Sequence, residues 1–340
     1  MRIAYVWQGR SAGLIKMNEY EMRVSQPRRV SLIINRYAGQ QMLHGQQLSM
    51  HLVDYFLQQD CELQIYQPEN TDSFMQAIEH ALQQQAARPG VLVAAGGDGT
   101  LNTLAHHLWQ ARQKIPALHA VTLGIIPLGT FNYVARALQI PLDPLKAAAV
   151  IAQGQPQPIH VGCVNQYIYL NNASIGLYPH LIQQRERDNR RFGRQRWVAA
   201  LSGLTVLLRQ HHRLKLRMLV DGHSEALLTP MVFFGNNQLQ LADFKLKIAD
   251  CAAQGKLAAV AMQPVSRWQM FGLIASLQLG RFEQAPAVQC YCAEQIRIDV
   301  DKRQIKLAID GEIVTVASPL RFHVAQHALR IMVPHVIASV

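Results

Sequence analysis

The chain has 340 residues, with 33 Lys plus Arg against 22 Asp plus Glu and a formal net charge of +11. At 49% hydrophobic and only 16% charged it can bury ample apolar surface, which excludes a disordered chain, and its length suits two packed domains better than one. Five cysteines, Cys61, Cys163, Cys251, Cys290 and Cys292, odd in number and without paired metal spacing, argue against a disulfide-stapled or zinc-bound fold and read as a reducing compartment.

Residues Met1 to Trp7 lack the long apolar core of a secretory signal, and no window reaches about 18 consecutive apolar residues, so a cytoplasmic chain is expected. Its basic excess favours anionic partners: nucleic acid, nucleotide phosphates or an acidic membrane face.

Residues 1–28 show no clear period and read as an N-terminal extension. Val30 to Ile34 is an apolar run of strand length, followed by a turn-prone Asn35 to Gly39 and a helical pattern at Leu48, Leu52, Tyr55 and Phe56. The same order repeats. Leu63 to Tyr66 reads as a strand, Phe74, Ile78, Ala81 and Leu82 mark a helix, and Val91 to Ala95 is a buried strand ending at Gly96. A helix carrying Leu101, Leu104, Ala105 and Leu108 follows, then a strand at Val121 to Ile126 and helices around 131–138 and 144–152. Such alternation predicts a three-layer α/β domain with a parallel-rich sheet over 29–154. After Gln153 to Pro156 the texture changes to short strands at hairpin spacing: Ile159 to Val164, Ile168 to Asn172, Leu214 to Val220, Leu227 to Phe234, Leu257 to Met262, Ala287 to Tyr291, Gln295 to Val300, Ile305 to Ile309 and Ile313 to Val316. Helices are expected near 178–210 and 266–278. This predicts an antiparallel β-sandwich domain over 155–317, with 318–335 free to return to the first domain.

Three loops carry chemistry. Gly96, Gly97, Asp98, Gly99 and Thr100 lie between a buried strand and a helix start. Glycines there let backbone amides approach a polyanion, and the helix start adds its unpaired donors. Asp98 beside a phosphate calls for a Mg²⁺ or a hydroxyl between them; a plain capped turn is the alternative. Gly129, Thr130 and Asn132 sit in a second loop after a buried strand. Both loops fall at carboxyl ends of strands, where open parallel sheets bind ligands, so they and the turn bearing Asn35 and Gly39 can converge on one nucleotide. The third, Asp310, Gly311 and Glu312 between two strands, is by itself a tight hairpin turn. Among fourteen histidines, the adjacent pairs His106/His107 and His211/His212 point apart on a helix and make no chelate.

In order and spacing, the Asn35 to Gly39 turn, Gly96 to Asn102, Pro127 to Asn132, Asn172 to Gly176 and Asp310 to Glu312 resemble the diacylglycerol-kinase-type lipid kinases, which include sphingosine kinases and bacterial lipid kinases. The first glycine motif is also similar to that of NAD kinases. The resemblance implies ATP held with Mg²⁺ between an α/β domain and a β-sandwich, on Asn35, Gly39, Gly96, Gly97, Gly99, Thr100, Asn102, Gly129, Thr130 and Asn132. It implies that Glu312, helped by Asp310, accepts the proton of a lipid hydroxyl, with diacylglycerol the first expectation, and that Asp98 sits with the Mg²⁺. Sphingosine kinases give the base role to the aspartate equivalent to Asp98, so the two carboxylates compete for it. Three acidic positions common in the family are replaced by Thr103, Tyr133 and Gln254, which argues against a structural Mg²⁺ and leaves a non-catalytic nucleotide- or lipid-binding regulatory protein as one alternative; an NAD kinase-like enzyme, the same fold with another acceptor, is the other, disfavoured by Asn172 to Gly176.

A lipid substrate implies transient contact with an anionic membrane. The arginines between Arg185 and Arg196, followed by the uncharged Trp197 to Leu208, offer one such surface, a solvated arginine face being the alternative. No nucleic-acid recognition element is evident, and monomer and homodimer both stay open.

Overall fold

A computed structural model of the chain describes residues 27–35, 41–176, 213–243 and 245–335. The first part alternates strand and helix: β1 (Arg29–Ile34), α1 (Gln41–Gln58), β2 (Glu62–Tyr66), α2 (Thr71–Ala87), β3 (Val91–Gly96), α3 (Asp98–Arg112), β4 (Thr122–Pro127), α4 (Tyr133–Ala137) and α5 (Pro144–Gln153). Strands β1 to β4 are parallel, in the order β2-β1-β3-β4. Helices cover both faces of this sheet, so β1, β3 and β4 are buried at every position rather than alternating, while the edge strand β2 stays partly exposed. In β1, Val30, Leu32 and Ile34 join Leu52 and Phe56 of α1 and Ile151 of α5. Ile33 points the other way, to Ile78 of α2 and Leu104 of α3.

The second part is mainly strand: β5 (Gln155–Val164), β6 (Tyr167–Tyr169), β7 (Asn172–Gly176), β8 (Leu214–Val220), β9 (His223–Thr229), β10 (Met231–Gly235), α6 (Gln238–Asp243), α7 (Ala249–Ala253), β11 (Leu257–Met262), α8 (Arg267–Gln278), β12 (Val288–Ala293), β13 (Gln295–Val300), β14 (Gln304–Ile309), β15 (Glu312–Ala317) and β16 (Leu320–Val333). Strand β16 is the seam. Ile331 lies parallel to Leu123 of β4, while β16 runs antiparallel to β5 and β13. One sheet therefore continues from β2 to β9. A second, wholly antiparallel sheet has the order β12-β11-β10-β7-β14-β15. Ile175, Phe234 and Leu307 of this sheet meet Met218, Ile298 and Phe322 of the first in a shared core, the architecture of a β-sandwich.

Four details differ from the reading of the sequence. The run Leu227 to Phe234 is two strands in different sheets, parted at Pro230, which has no N–H to give a ladder. Ile168 to Asn172 likewise divides between β6 and β7. The Gly- and Pro-containing stretch after Gln153 is already strand from Gln155, paired with Val333. The expectation of unpaired cysteines is corrected as well: Cys251 and Cys292 form a disulfide across 41 residues of sequence, because α7 leads into β11 and β11 pairs with β12, a proximity that spacing alone does not reveal. The expected helices over 178–210, and with them the arginine run and Trp197 to Leu208, lie outside the described residues. Among the described residues no helix is long and apolar enough to cross a membrane.

The Phe234 ring stacks on Phe322 with centroids 3.7 Å apart, and both side chains are fully buried. Phe234→Ala is expected to lower stability by about 3–5 kcal/mol, since truncation leaves a cavity between two sheets that cannot collapse. Equilibrium urea unfolding measures it, and a loss below about 1 kcal/mol would show that this stack is not central to the core.

Candidate active site

The glycine loop begins where β3 stops. A Cβ on Gly96 would lie 2.5 Å from Thr100 Oγ1, so only glycine lets the strand pass beneath the first turn of α3. Gly97 caps that helix in extended conformation. The Thr100 hydroxyl accepts a hydrogen bond from Asn35 Nδ2 at 2.9 Å, tying the end of β1 to α3. In the second loop, the Leu128 amide donates to the Gly96 carbonyl at 2.8 Å, and a Cβ on Gly129 would stand 2.7 Å from Gly97 Cα. The two loops thus touch glycine to glycine. Asn132 adopts a left-handed conformation, φ 50°, and its side chain closes its own loop: the Gly129 amide donates to Oδ1 at 3.1 Å and Nδ2 donates to the Gly129 carbonyl at 2.9 Å.

The acidic hairpin is held from behind. Ile309 of β14 is opposite Glu312 of β15, and the two intervening residues, Asp310 at φ 46° and Gly311 at φ 91°, make the doubly left-handed turn that an Asp-Gly pair favours. The Asp310 carboxylate accepts three backbone amides, from Leu170 at 2.7 Å, Asn171 at 2.9 Å and Asn172 at 2.8 Å. Burial pushes its carboxyl up to about 7 against the pull of those amides. Asn171, so placed, accepts from Asn237 Nδ2 through Oδ1 at 3.0 Å. It also helps, with the Val134, Asn132 and Tyr133 amides at the start of α4, to lower an Asp98 carboxyl that burial otherwise raises. Glu312 is then presented to the glycine loop, where a Cβ on Gly99 would be 4.0 Å from Glu312 Oε1. Partial burial raises the Glu312 carboxyl above its ordinary value, offset by the Thr103 hydroxyl, which also donates to the Gly99 carbonyl at 2.9 Å.

These parts border one cleft of about 760 Å³, a volume suited to a small ligand. Asn35, Gly97, Gly99, Thr100 and Asn102 line one side, Gly129 and Thr130 the adjoining edge, and Glu312 stands across from them. Gly96, Asp98, Asn132 and Asp310 do not line it; they hold the residues that do. Gly39 lies outside the described residues. The sequence reading missed the wall facing the loops, which is the start of α2 with Asn70, Thr71, Phe74 and Met75, and the back wall of His106, His107 and Tyr167. A signal for the first existed: Asn70 and Ser73 form a reciprocal capping box, so Asn-Thr-Asp-Ser marks a helix N-terminus. Burial lowers His106 to about 4 and lowers His107 as well, which favours the neutral form of both imidazoles.

Among the described residues, no Lys or Arg lines the cleft. Its attraction for an anion comes from loop amides and from the N-termini of α2 and α3. The oxygen donors of the lining fit a divalent cation carried by the ligand: Asn102 Oδ1 is buried without a hydrogen-bond partner, and Glu312 supplies a hard carboxylate oxygen suited to Mg²⁺, whereas Asp98, the expected Mg²⁺ residue, does not line the cleft and meets the amides at the start of α4. The lining oxygens do not make a resident metal cage, since among the described residues no three His, Cys, Asp or Glu cluster around one point. Of the positions where acids are replaced, Thr103 serves the Gly99 carbonyl, Tyr133 stacks on Phe131 at 5.6 Å, and Gln254 caps α7.

Residues 29–164 match the diacylglycerol kinase catalytic domain, and residues 182–333 match the YegS C-terminal NAD kinase beta sandwich-like domain. A diacylglycerol kinase of Bacillus subtilis is 42% identical over 104 residues, 30% of this chain and 32% of that protein. One from Staphylococcus saprophyticus is 34% identical over 106 residues, 31% of this chain and 33% of that protein. The aligned stretch thus spans about a third of each of these relatives. The crystal structure of a diacylglycerol kinase from Bacillus anthracis superposes with a TM-score of 0.66 at 20% identity, covering 91% of this chain and 98% of that one, a likeness of fold.

The clamp on Asp310 has a measurable signature. Its carboxyl titrates near 7 in the folded chain against an ordinary 3.8. Between those values the folded chain holds a proton that the unfolded chain has released, so this group favours folding below about pH 4 and the benefit declines as pH rises toward 7. Asp310→Asn is expected to remove that slope and to cost about 1–3 kcal/mol, because an NH₂ group then faces one of the three amides. Thermal unfolding at a series of pH values reads both effects.

Proposed function

This chain belongs to the diacylglycerol kinase and YegS-like family of lipid kinases, and from that membership we propose that it transfers the γ-phosphate of ATP to a lipid hydroxyl, diacylglycerol first among candidates. The observation that carries the reading is Glu312 facing Gly99 across the same cleft that the two glycine loops border. Loop amides and helix starts would hold the phosphates. Mg²⁺ arriving with the nucleotide would be met by Glu312 and Asn102 oxygens and would neutralise charge on the phosphates.

Phosphoryl transfer asks of the protein mainly orientation and charge stabilisation. Glu312 takes the proton from the lipid hydroxyl; the hydroxyl oxygen bonds to the γ-phosphorus as the bond to the β,γ-bridging oxygen breaks, and ADP leaves with that electron pair. Glu312 suits this role better than Asp98 because it lines the cleft; burial raises both carboxyls, which favours proton uptake by either. Asp310, with both oxygens held by backbone amides, acts as a positioning residue.

The test is transfer of radiolabelled γ-phosphate from ATP to diacylglycerol, ceramide, sphingosine and phosphatidylglycerol in mixed micelles. Label is expected in diacylglycerol, and Glu312→Gln is expected to lower kcat by about 10²–10⁴-fold with nucleotide binding retained. No label in any lipid while ATP still binds would overturn the kinase reading in favour of a binding protein, and formation of NADP from NAD would move the chain to the NAD kinase branch.

A further inference from the structure

Helix α8 breaks the usual pattern of a surface helix, whose solvent face is polar. Leu273 is buried with Val260, Met262 and Val288 against the outer face of the second sheet. The opposite stripe at helical spacing, Trp268, Phe271, Gly272, Ala275 and Leu279, is exposed. Trp268 is 84% accessible, Phe271 49% and Leu279 71%, and the two rings lie 6.2 Å apart. Leu279 continues the stripe, its amide still bonded to the Ala275 carbonyl at 3.0 Å. A tryptophan so exposed beside a second aromatic and a leucine is uncommon on a surface that meets only water.

Along the chain, the helix and its flanks carry charges of one sign. From Gln263 to Arg281 there is no Asp or Glu. Arg281 is exposed and makes no ion pair among the described residues, and the Lys245 side chain packs beside Gly280, which adjoins Leu279. The next acid, Glu283, has its carboxylate bonded to the Ile248 amide at 2.9 Å. We infer that the exposed face of α8 docks on an anionic bilayer, with Trp268, Phe271 and Leu279 at the boundary of headgroups and acyl chains and Arg281 and Lys245 over the headgroups. The side-chain types match that boundary: an indole with one polar edge, a phenyl ring, a branched aliphatic and flanking cations. A second copy of the chain fits less well, since a two-fold contact would press the same cationic rim against itself. The inference rests on the reading that the substrate resides in a membrane and names the surface that meets it.

Flotation of the full chain with vesicles, without nucleotide, tests it. The protein is expected to float with equal parts phosphatidylglycerol and phosphatidylcholine, less so at high salt, and not with phosphatidylcholine alone. Trp268→Ala combined with Phe271→Ala is expected to weaken partitioning about tenfold or more, and Leu279→Glu, an independent change, to weaken it similarly. Phosphotransfer to a short-chain, water-soluble diacylglycerol, which needs no lipid surface, is expected to stay at the unsubstituted level in both. Variants that float like the unsubstituted chain would overturn the inference, as would absence of binding to the anionic vesicles or conversion of a dimer to a monomer by these substitutions. Vesicle binding that persists while micelle phosphotransfer is absent would instead count against the kinase reading and leave the docking surface standing.

Discussion

The arrangement depends on one carboxylate gripping three backbone amides. Asp310 reaches across the second sheet to Leu170, Asn171 and Asn172, the short link between β6 of the first sheet and β7 of the second. That grip fixes the hairpin at the place where a strand leaves one sheet for the other. It sets Glu312 toward Gly99, and through Asn171 it reaches the carboxylate of Asp98. A buried carboxylate without partners would be very costly; here the amides of a connector that has no ladder of its own satisfy it. The same device recurs at the other Asp-Gly turn, where the Asp221 carboxylate accepts the Glu294 and Gln295 amides.

On the side of the glycine loops the cleft is built from small residues and uncharged donors. Contact between Gly97 and Gly129 brings the ends of β3 and β4 together without side chains between them, so backbone N–H groups border the space. No lysine or arginine is among the described lining residues, so under the proposed function the countercharge would come with the nucleotide's own cation, unlike phosphate loops in which a lysine supplies it. Long-range attraction is then left to the overall excess of positive charge.

Much of this was legible in the sequence wherever a local rule was in force. Apolar runs such as Val30 to Ile34 and Val91 to Ala95 became strands because burial on both faces demands continuous hydrophobicity. The Asp310-Gly311 turn was legible because few pairs tolerate two positive φ angles in succession. The illegible parts depended on partners distant in the chain. Gln155 to Pro158 looks like a linker, yet β16 supplies it with hydrogen bonds. Cys251 meets Cys292 only because β11 pairs with β12. Asn132 looked available for a ligand, and its amide is spent within its own loop. Asp310 drew notice as a chemical acid, and its part in the fold is to anchor a neighbour.

Strand β16 carries a mechanical implication. A hinge requires backbone that can swivel without breaking cross-strand bonds, and β16 is bonded to β5 on both sides of the bulge between Ala325 and Leu329 while also meeting β4 and β13. The glycine loops follow β3 and β4 of this sheet, whereas the acidic hairpin belongs to the second sheet, which is held to the first by the shared core. Swinging the parallel strands away from β13, β8 and β9 would therefore break ladder bonds along β16.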